Sequence, residues 1–287
     1  MRVLVTGACG QLGYAVSQEL AVRGTEYLGL SALEMDVTDQ ASVQKRLRAY
    51  RPDVVINCAA YTKVDQAEDD VGECWAVNVN GVQNLAVGCG EIGAKLVHLS
   101  TDYVFSGEGD QPYAPDDCVG PLCVYAQSKL AGELAARCLL KECFIVRTSW
   151  AFGKSEANFV KTMLRLANHR TELDVVCDQI GSPTYTVDLA PLLCDMAETD
   201  KYGVYHATNE GVCSRAEFAR EIFRQAGKQI HINMIPTSQY PNRARRPLNS
   251  RMSKEKLEEM GFDRLPPWQD ALARYLKEIN SVSERKK

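Results

Sequence analysis

A tyrosine and a lysine in the segment VYAQSK have the spacing of a proton-transfer pair. Tyr125 precedes Lys129 by four residues, so in a helix both side chains lie on one face. A cation ~4 Å from a phenol, at an effective dielectric constant of about 20, is worth roughly 4 kcal/mol, or about three pKa units. We therefore predict that Lys129 lowers the pKa of Tyr125 toward neutrality. The alternative is an ordinary pair on a solvated helix, since this spacing also arises by chance.

The segment TGACGQLG joins the first predicted strand to the first predicted helix and carries Gly7, Gly10 and Gly13. Glycines let the backbone turn tightly and approach a pyrophosphate, whose charge is favoured at a helix N-terminus. We predict a dinucleotide-binding loop, although the spacing is GxxGxxG rather than GxGxxG. The alternative is a helix-start turn without a ligand. Cys9, inside this loop, is interpreted as an inert thiol.

Three further segments follow predicted strands, where the ligands of doubly wound sheets bind. EMDVTD contains Asp36 and Val37, which suit either an adenine contact or a turn in which the aspartate is a cap. NCAAYT, residues 57–62, has small alanines that would let a cofactor approach, or is simply a buried strand end. LSTDYVF, residues 99–105, places hydroxyl and carboxyl groups at the next strand end, or forms a side-chain-stabilised turn.

The composition excludes several classes of protein. The chain has 287 residues, 45% hydrophobic and 24% charged, with a net charge of -4, which favours neither nucleic acid nor an anionic membrane as a partner. No apolar run has the length of a signal peptide or a membrane span. The 11 cysteines include no CxxC and many have apolar neighbours. They indicate free thiols in the cytoplasm, with neither a disulfide framework nor a metal site.

Strand-like and helix-like segments alternate along the first half of the chain. Apolar runs such as RVLVTG, PDVVINCAA and CFIVRTSW predict strands, the second of them buried on both faces. The alternation predicts an α/β fold with a Rossmann-type, doubly wound parallel sheet. We assign residues 1–150 to this dinucleotide-binding domain. Residues 151–287 are predicted to form mostly a smaller, mixed α/β substrate lobe, with some exchange of chain between the two lobes.

The order of these motifs resembles that of the extended short-chain dehydrogenases/reductases. TGACGQLG, NCAAYT, STDYVF and VYAQSK occur in that order and at approximately that spacing. VRTSWAFG, NFVKTMLRLA, DQIGSPT and RRPLNSRMS make the chain similar to the dTDP-4-dehydrorhamnose reductase family, over Arg2 to about Tyr275. The resemblance implies reduction of the C4 ketone of dTDP-4-dehydro-L-rhamnose to dTDP-L-rhamnose by NADPH or NADH. It implies a role in deoxysugar and cell-surface polysaccharide precursor synthesis.

The resemblance also implies a role for each motif residue. Tyr125 would protonate the ketone oxygen, Lys129 would bind the nicotinamide ribose, and Thr101 would orient the ketone. Asp102 and Trp150 would meet the sugar together with Thr101. The cofactor would be bordered by Gly7, Gly10, Gln11, Leu12, Gly13, Asp36, Val37, Ala59, Ala60, Tyr61, Leu99, Tyr125 and Lys129. Leu99 stands where the family can carry a bulkier aromatic residue.

The sequence leaves other interpretations open. Tyr103 stands where related 4,6-dehydratases carry an acid, which favours a reductase. A reductase of another dehydro-sugar nucleotide is an alternative. So is a non-catalytic, regulatory NAD(P)-binding subunit similar to that of methionine adenosyltransferase. The end of the second strand, near Ser31, does not decide between NADH and NADPH.

Partners beyond the sugar nucleotide are less defined by the sequence. A homodimer is possible, and no distinctive set of metal ligands is present. A basic cluster near the end of the chain would face either a substrate diphosphate or solvent. It consists of Arg243, Arg245, Arg246 and Arg251.

Overall fold

The computed structural model describes residues 1–284, which form fourteen strands and ten α-helices. The strands are β1 (Arg2–Thr6), β2 (Glu26–Leu30), β3 (Val54–Asn57), β4 (Lys95–Thr101), β5 (Cys143–Thr148), β6 (Ala151–Phe152), β7 (Glu172–Val176), β8 (Ile180–Gly181), β9 (Thr184–Tyr185), β10 (Gly203–His206), β11 (Asn209–Glu210), β12 (Cys213–Ser214), β13 (His231–Ile235) and β14 (Leu265–Pro267). The helices are α1 (Gln11–Val22), α2 (Gln40–Tyr50), α3 (Val71–Trp75), α4 (Gly81–Ile92), α5 (Val124–Leu139), α6 (Phe159–Leu166), α7 (Thr186–Ala197), α8 (Arg215–Gln225), α9 (Glu255–Glu259) and α10 (Trp268–Glu284).

A six-stranded, all-parallel sheet lies at the centre of the fold, in the order β2-β1-β3-β4-β5-β10. The chain runs outward from β1 to β2 and then returns to place β3 on the other side of β1. Ligands of such sheets bind beyond the carboxyl ends of the strands, at the point where this direction reverses. The predicted doubly wound parallel sheet is confirmed, and the reversal lies between β1 and β3.

Side-chain alternation along the strands builds a core on each face of the sheet. Val3 and Val5 of β1 pack with α1 and α7 on one face, whereas Leu4 packs with α2 and α4 on the other. Successive side chains of a strand point to opposite faces, so an uninterrupted apolar run is what a strand covered on both sides requires. None of the described helices has the length and apolarity needed to cross a bilayer.

The second half of the chain contributes to two cores. Strand β10 extends the central sheet by pairing with β5, and α7 packs on α1. Strands β6 and β9 and helices α8 and α10 help to enclose a separate aromatic core that includes Phe152, Tyr185 and Phe218. The placement of β10 shows that residues 203–206 complete the sheet built by the first half. The domain boundary at residue 150 remains a prediction.

A π-helical turn at Ala76–Asn80 lies between α3 and α4. Within this turn the Asn78 amide donates to the Tyr61 carbonyl at 3.1 Å and to Ser128 Oγ at 3.0 Å. The Asn78 carbonyl also presses on α5, because a Cβ on Gly132 would lie 2.2 Å from its oxygen. The wider turn thus sets how closely α5 packs beside the sheet.

Candidate active site

The glycine loop forms a cradle of bare backbone at the reversal point of the sheet. Gly7 follows β1 with φ +61°, a conformation that side chains rarely adopt. A Cβ on Gly7 would lie 2.8 Å from the Ala59 nitrogen, and one on Gly13 would lie 2.2 Å from the Gly7 oxygen. These contacts bring the loop, α1 and the segment after β3 closer together than side chains permit.

The N-terminus of α1 has the features of an anion site. Its N-cap is Gly10, no side chain caps the helix, and its first turn carries no acidic residue. The free N–H groups and the positive end of the helix dipole therefore favour a negatively charged group such as a pyrophosphate. Gln11 accepts from the Asn158 amide at 3.1 Å, and Leu12 packs against the core. The cradle and this helix end together fit a dinucleotide.

Asp36 and Val37 lie at the other end of the candidate cofactor site, before α2. One Asp36 oxygen accepts from the Thr38 N–H at 2.9 Å and from the Thr38 hydroxyl at 2.8 Å. Val37 is buried and contacts Gly81 at the start of α4. The hydrogen bonds that Asp36 makes are therefore those of a side chain that stabilises a turn, and its contact with adenine remains a prediction.

The segment after β3 is held by buried hydrogen bonds. Thr6 Oγ donates to the Asn57 carboxamide oxygen at 2.6 Å, and the Ala59 N–H donates to the Thr6 hydroxyl at 3.2 Å. Tyr61 is buried, and its N–H donates to the Asn78 carboxamide oxygen at 2.9 Å. The bonds fix Ala59 beside Gly7, with Ala60 next along the chain, where a cofactor would cross the edge of the sheet.

Thr101, at the end of β4, contacts Tyr125 of α5, so the predicted catalytic residues of the sheet and of the helix meet. Its hydroxyl donates to Asp102 at 3.0 Å and interacts with the phenol of Tyr125. Burial raises the pKa of Tyr125, and the hydrogen bond with Thr101 only partly offsets this. The expectation that Lys129 lowers the pKa of Tyr125 toward neutrality is therefore wrong for this structure. Instead, the phenol is held protonated, as a proton donor requires.

Lys129 is buried below Tyr125, with 3% of its surface exposed. Its ammonium donates to the Leu99 carbonyl of β4 at 2.6 Å. Burial lowers the pKa of Lys129 to about 8, and the field of Glu133 opposes the shift. The lysine thus reaches the edge of the sheet beside Leu99, and near neutral pH it is mostly an ammonium.

Asp102 and Trp150 are linked by an arginine that the sequence interpretation missed. Asp102 is 2% exposed, and burial raises its pKa to about 6, against the effect of Ser250, Thr101 and Arg215. The Arg215 guanidinium also lies 3.7 Å from the centre of the Trp150 ring. Arg215 is the first residue of α8, and its sequence neighbourhood contains only the helix-start signal of Ser214 and Glu217. No motif therefore pointed to it.

Trp150 adopts a strained backbone conformation, with φ +47°. Its ring packs on Gly181, where a Cβ would lie 2.9 Å from the ring. Arg215 covers the ring by a cation–π contact. The side chain is therefore held from two sides, as expected for a residue that shapes a pocket.

The basic cluster is dispersed into separate contacts. Arg243 pairs with Asp69, Arg246 pairs with Asp65 and donates to the Tyr103 hydroxyl at 3.3 Å, and Arg251 donates to Asn249 at 2.9 Å. Arg245 is exposed. A cavity of about 500 Å³ adjoins this segment, and its lining includes Arg243, Arg245, Arg246, Asp178, Thr237 and Tyr240.

Most of the predicted site residues fall into three groups in the structure. Gly7, Gly10, Gly13 and Ala59 meet at the β1–β3 end of the sheet. Leu99, Thr101, Asp102, Tyr125 and Lys129 meet at the β4–α5 end. Asp36 and Val37 lie apart from both groups, beside α4.

Comparison with known proteins gives a consistent result. The family described as the RmlD substrate binding domain matches residues 1–281. The chain is 43% identical over 283 residues to the spore coat polysaccharide biosynthesis protein SpsK of Bacillus subtilis, covering 99% of each chain. It is 43% identical to the dTDP-4-dehydrorhamnose reductase of Aggregatibacter actinomycetemcomitans, covering 94% of this chain and 97% of that one.

Solved structures agree with these relatives. The dTDP-4-dehydrorhamnose reductase of Bacillus anthracis, crystallised with NADP, superposes with a TM-score of 0.94 at 41% identity, covering 96% of this chain and 99% of that one. The corresponding protein of Clostridium acetobutylicum gives a TM-score of 0.95 at 38% identity, covering 98% of this chain and 100% of that one.

Proposed function

The chain belongs to the family of the RmlD substrate binding domain, which confirms the resemblance read from its motifs, and we propose that it is an NAD(P)H-dependent dTDP-4-dehydrorhamnose reductase. It reduces the C4 ketone of dTDP-4-dehydro-L-rhamnose to the hydroxyl of dTDP-L-rhamnose, a precursor of cell-surface polysaccharides. The observation that carries this proposal is the cluster of Thr101, Tyr125 and Lys129 at the carboxyl edge of the sheet that also carries the glycine cradle.

The cofactor is NADPH or NADH, and it supplies the hydride that reduces the ketone. The cradle of Gly7, Gly10 and Gly13 takes the pyrophosphate at the start of α1. Asp36 and Val37 contact the adenine, and Ala59, Ala60, Tyr61 and Leu99 border the remainder. A relative of 41% identity was crystallised with NADP, which supports a nicotinamide dinucleotide as the cofactor.

The protein's own groups supply the proton and hold the substrate. Tyr125 donates its phenolic proton to the ketone oxygen as negative charge develops there. The Thr101 hydroxyl, which donates to Asp102 in this structure, turns to donate a hydrogen bond that orients the ketone, and the Lys129 ammonium binds the nicotinamide ribose. The raised pKa of Tyr125 keeps the donor protonated, so it releases its proton only to an oxygen that has become strongly basic.

The sugar occupies the space between Tyr125 and Trp150. Asp102 accepts hydrogen bonds from sugar hydroxyls, and the Trp150 ring forms an apolar wall. The nucleotide extends toward the cavity that Arg245 lines, where this exposed guanidinium favours a diphosphate.

The deciding assay follows oxidation of NADPH and of NADH by dTDP-4-dehydro-L-rhamnose and by other dehydro-sugar nucleotides. We expect turnover with the dTDP sugar and slower turnover with the others. Faster turnover of another sugar nucleotide would reassign the substrate. Cofactor binding without turnover of any of them would favour the regulatory subunit.

Cofactor binding is tested by Gly10→Val. The new side chain would stand 3.2 Å from the Gly7 oxygen and obstruct the backbone approach to the pyrophosphate. Loss of two charge-assisted hydrogen bonds would weaken NAD(P)H binding by at least about 100-fold. Calorimetry measures this, with Gly72→Val as the control, because a Cβ there meets open space. Unchanged affinity in a folded variant would remove the loop from the cofactor site.

Sugar recognition is tested by Trp150→Ala. Removal of the ring that Arg215 and Gly181 hold in place should raise the KM for the sugar nucleotide by about tenfold, the cost of one buried aromatic contact. NAD(P)H affinity should remain nearly unchanged. Steady-state kinetics measure the first quantity and calorimetry the second, with the fully exposed Leu33→Ala as the control. A defect confined to the cofactor would contradict the placement.

We also propose that the protein is cytoplasmic and that it forms a homodimer. All 11 cysteines are free thiols, which suits a reducing compartment. Leu134 and Leu139 of α5, with Val71 and Trp75 of α3, are exposed apolar side chains. Sedimentation equilibrium tests the dimer, and a monomer at micromolar concentration would contradict it.

A further inference from the structure

Glu133 extends the row of Tyr125 and Lys129 by another four residues along α5. Three side chains at four-residue intervals lie on one helix face, so Glu133 faces the sheet as the other two do. It is 1% exposed, and none of the roles assigned so far requires a carboxylate at this position. A buried carboxylate is costly unless it is paired and hydrogen-bonded.

Both requirements are met by the two strands beneath α5. Ser100 of β4 donates its hydroxyl proton to Glu133. The Arg147 guanidinium of β5, 3% exposed, donates to the Glu133 carboxylate at 3.0 Å and 2.8 Å. Arg147 in turn donates to the Pro115 carbonyl at 3.0 Å. One carboxylate therefore joins α5 to β4, which ends at Thr101, and to β5, which ends two residues before Trp150.

The groups around Lys129 come from four elements. Leu99 of β4 accepts from the ammonium, and His98 on the same strand is a buried imidazole whose pKa lies well below its ordinary value because of burial and of Lys129. Cys58 after β3 and Cys74 of α3 also face it, as thiols whose pKa values burial raises. Among the described residues 1–284, Glu133 is thus the one carboxylate whose field acts on this lysine, and it favours the charged form.

We propose that Glu133 is a positioning residue of the reductase site: bound by Ser100 and Arg147, it fixes the Tyr125–Lys129 face of α5 against the sheet and keeps Lys129 an ammonium. The inference rests on the proposed function, since it assigns Lys129 to cofactor binding. Glu133 itself touches neither the substrate nor the cofactor. It acts through the lysine.

The test compares wild type with Glu133→Gln, Glu133→Asp and the double variant Glu133→Gln/Arg147→Gln. Calorimetry measures NADPH affinity between pH 6 and pH 10, and kinetics measure kcat over the same range. In wild type, Lys129 is charged below about pH 8 and neutral above it, so affinity should fall as the pH rises through this value. Without the carboxylate, the pKa of Lys129 falls further. The loss of affinity should then begin at least about one pH unit lower.

Glu133→Asp separates charge from position. It keeps the carboxylate but retracts it, so its pH midpoint should stay close to that of wild type while kcat falls by about tenfold. Glu91→Gln, which removes an exposed carboxylate of α4, should change neither quantity. If Glu133→Gln alone does not fold, the double variant carries the same test, because it also removes the Arg147 guanidinium that the single substitution would leave buried and unpaired.

A folded glutamine variant with an unshifted midpoint would overturn the proposal. The binding measurement is independent of turnover, so the two proposals can fail separately. If the wild type binds NADPH with the expected pH dependence but reduces no sugar nucleotide, the proposed function fails. If the wild type is active and Glu133→Gln retains its pH profile, only the role of Glu133 fails.

Discussion

Replacement of Tyr125 by phenylalanine is expected to lower kcat by about 10²–10⁴-fold, the usual contribution of a general acid. The ring, and with it the edge-on contact to Tyr103 at 5.8 Å, remains in place, so folding and NAD(P)H affinity should survive. The loss should appear in kcat and in kcat/KM equally, because the proton is transferred only in the transition state.

The matched control is Tyr202→Phe, which removes a hydroxyl that donates to Asp200, remote from the catalytic residues. It should leave kcat within about twofold of wild type, as a surface substitution away from the site. A Tyr125→Phe enzyme with near-normal kcat would show that another group protonates the ketone oxygen. In that case Thr101, the neighbouring hydroxyl, would be the next candidate.

Replacement of Lys129 by methionine is expected to change both binding and catalysis. The ammonium that donates to Leu99 beside the site is lost, so NAD(P)H should bind about 10–100-fold more weakly, the usual range for a hydrogen bond to a charged group. We also expect kcat to fall by about 100-fold, because the ribose no longer places the nicotinamide. Both quantities are measured for the same preparation, by calorimetry and by single-turnover kinetics.

The pH profile distinguishes this role from a structural one. Wild type should lose activity as the pH rises through about 8, where Lys129 releases its proton, and Lys129→Met should lack this limb. Lys95→Met, at the opposite end of β4, removes a lysine paired with Asp200 and should keep the wild-type profile. A Lys129→Met enzyme with an unchanged alkaline limb would assign that limb to another group.

The double variant Tyr125→Phe/Lys129→Met shows whether the two residues act together. Residues that serve one step lose far less together than the product of their separate losses. Multiplicative losses in kcat would therefore mean that Tyr125 and Lys129 contribute independently, and the pair in VYAQSK would not be a catalytic couple.

Several features of the protein could be predicted from local sequence because their physical causes are local. The glycines of TGACGQLG predict a turn and the start of a helix, and the apolar runs predict strands that are covered on both faces. The spacing of Tyr125 and Lys129 places them on one face of any helix, and α5 confirms that helix. The order of the motifs along the chain was sufficient to identify the family, and the comparisons confirm that family.

The electrostatic state of the site depended on packing and could not be predicted this way. The pKa of Tyr125 was predicted to fall because a cation stands four residues away, but burial raises it. Arg215 reaches Trp150 from a helix more than sixty residues further along the chain. Arg147 reaches Glu133 from another strand. In each case, elements that are remote in sequence supply the partner and exclude water from the group.

Sequence alone thus determined which chemical groups the protein carries and the strands and helices on which they stand. Only the tertiary structure decided which of these groups are charged, paired or held in strained conformations. Helix and strand periodicity arise from bonds between near neighbours. Desolvation and ion pairing depend on all the atoms that surround a group, and those atoms come together only when the sheet and its covering helices have packed.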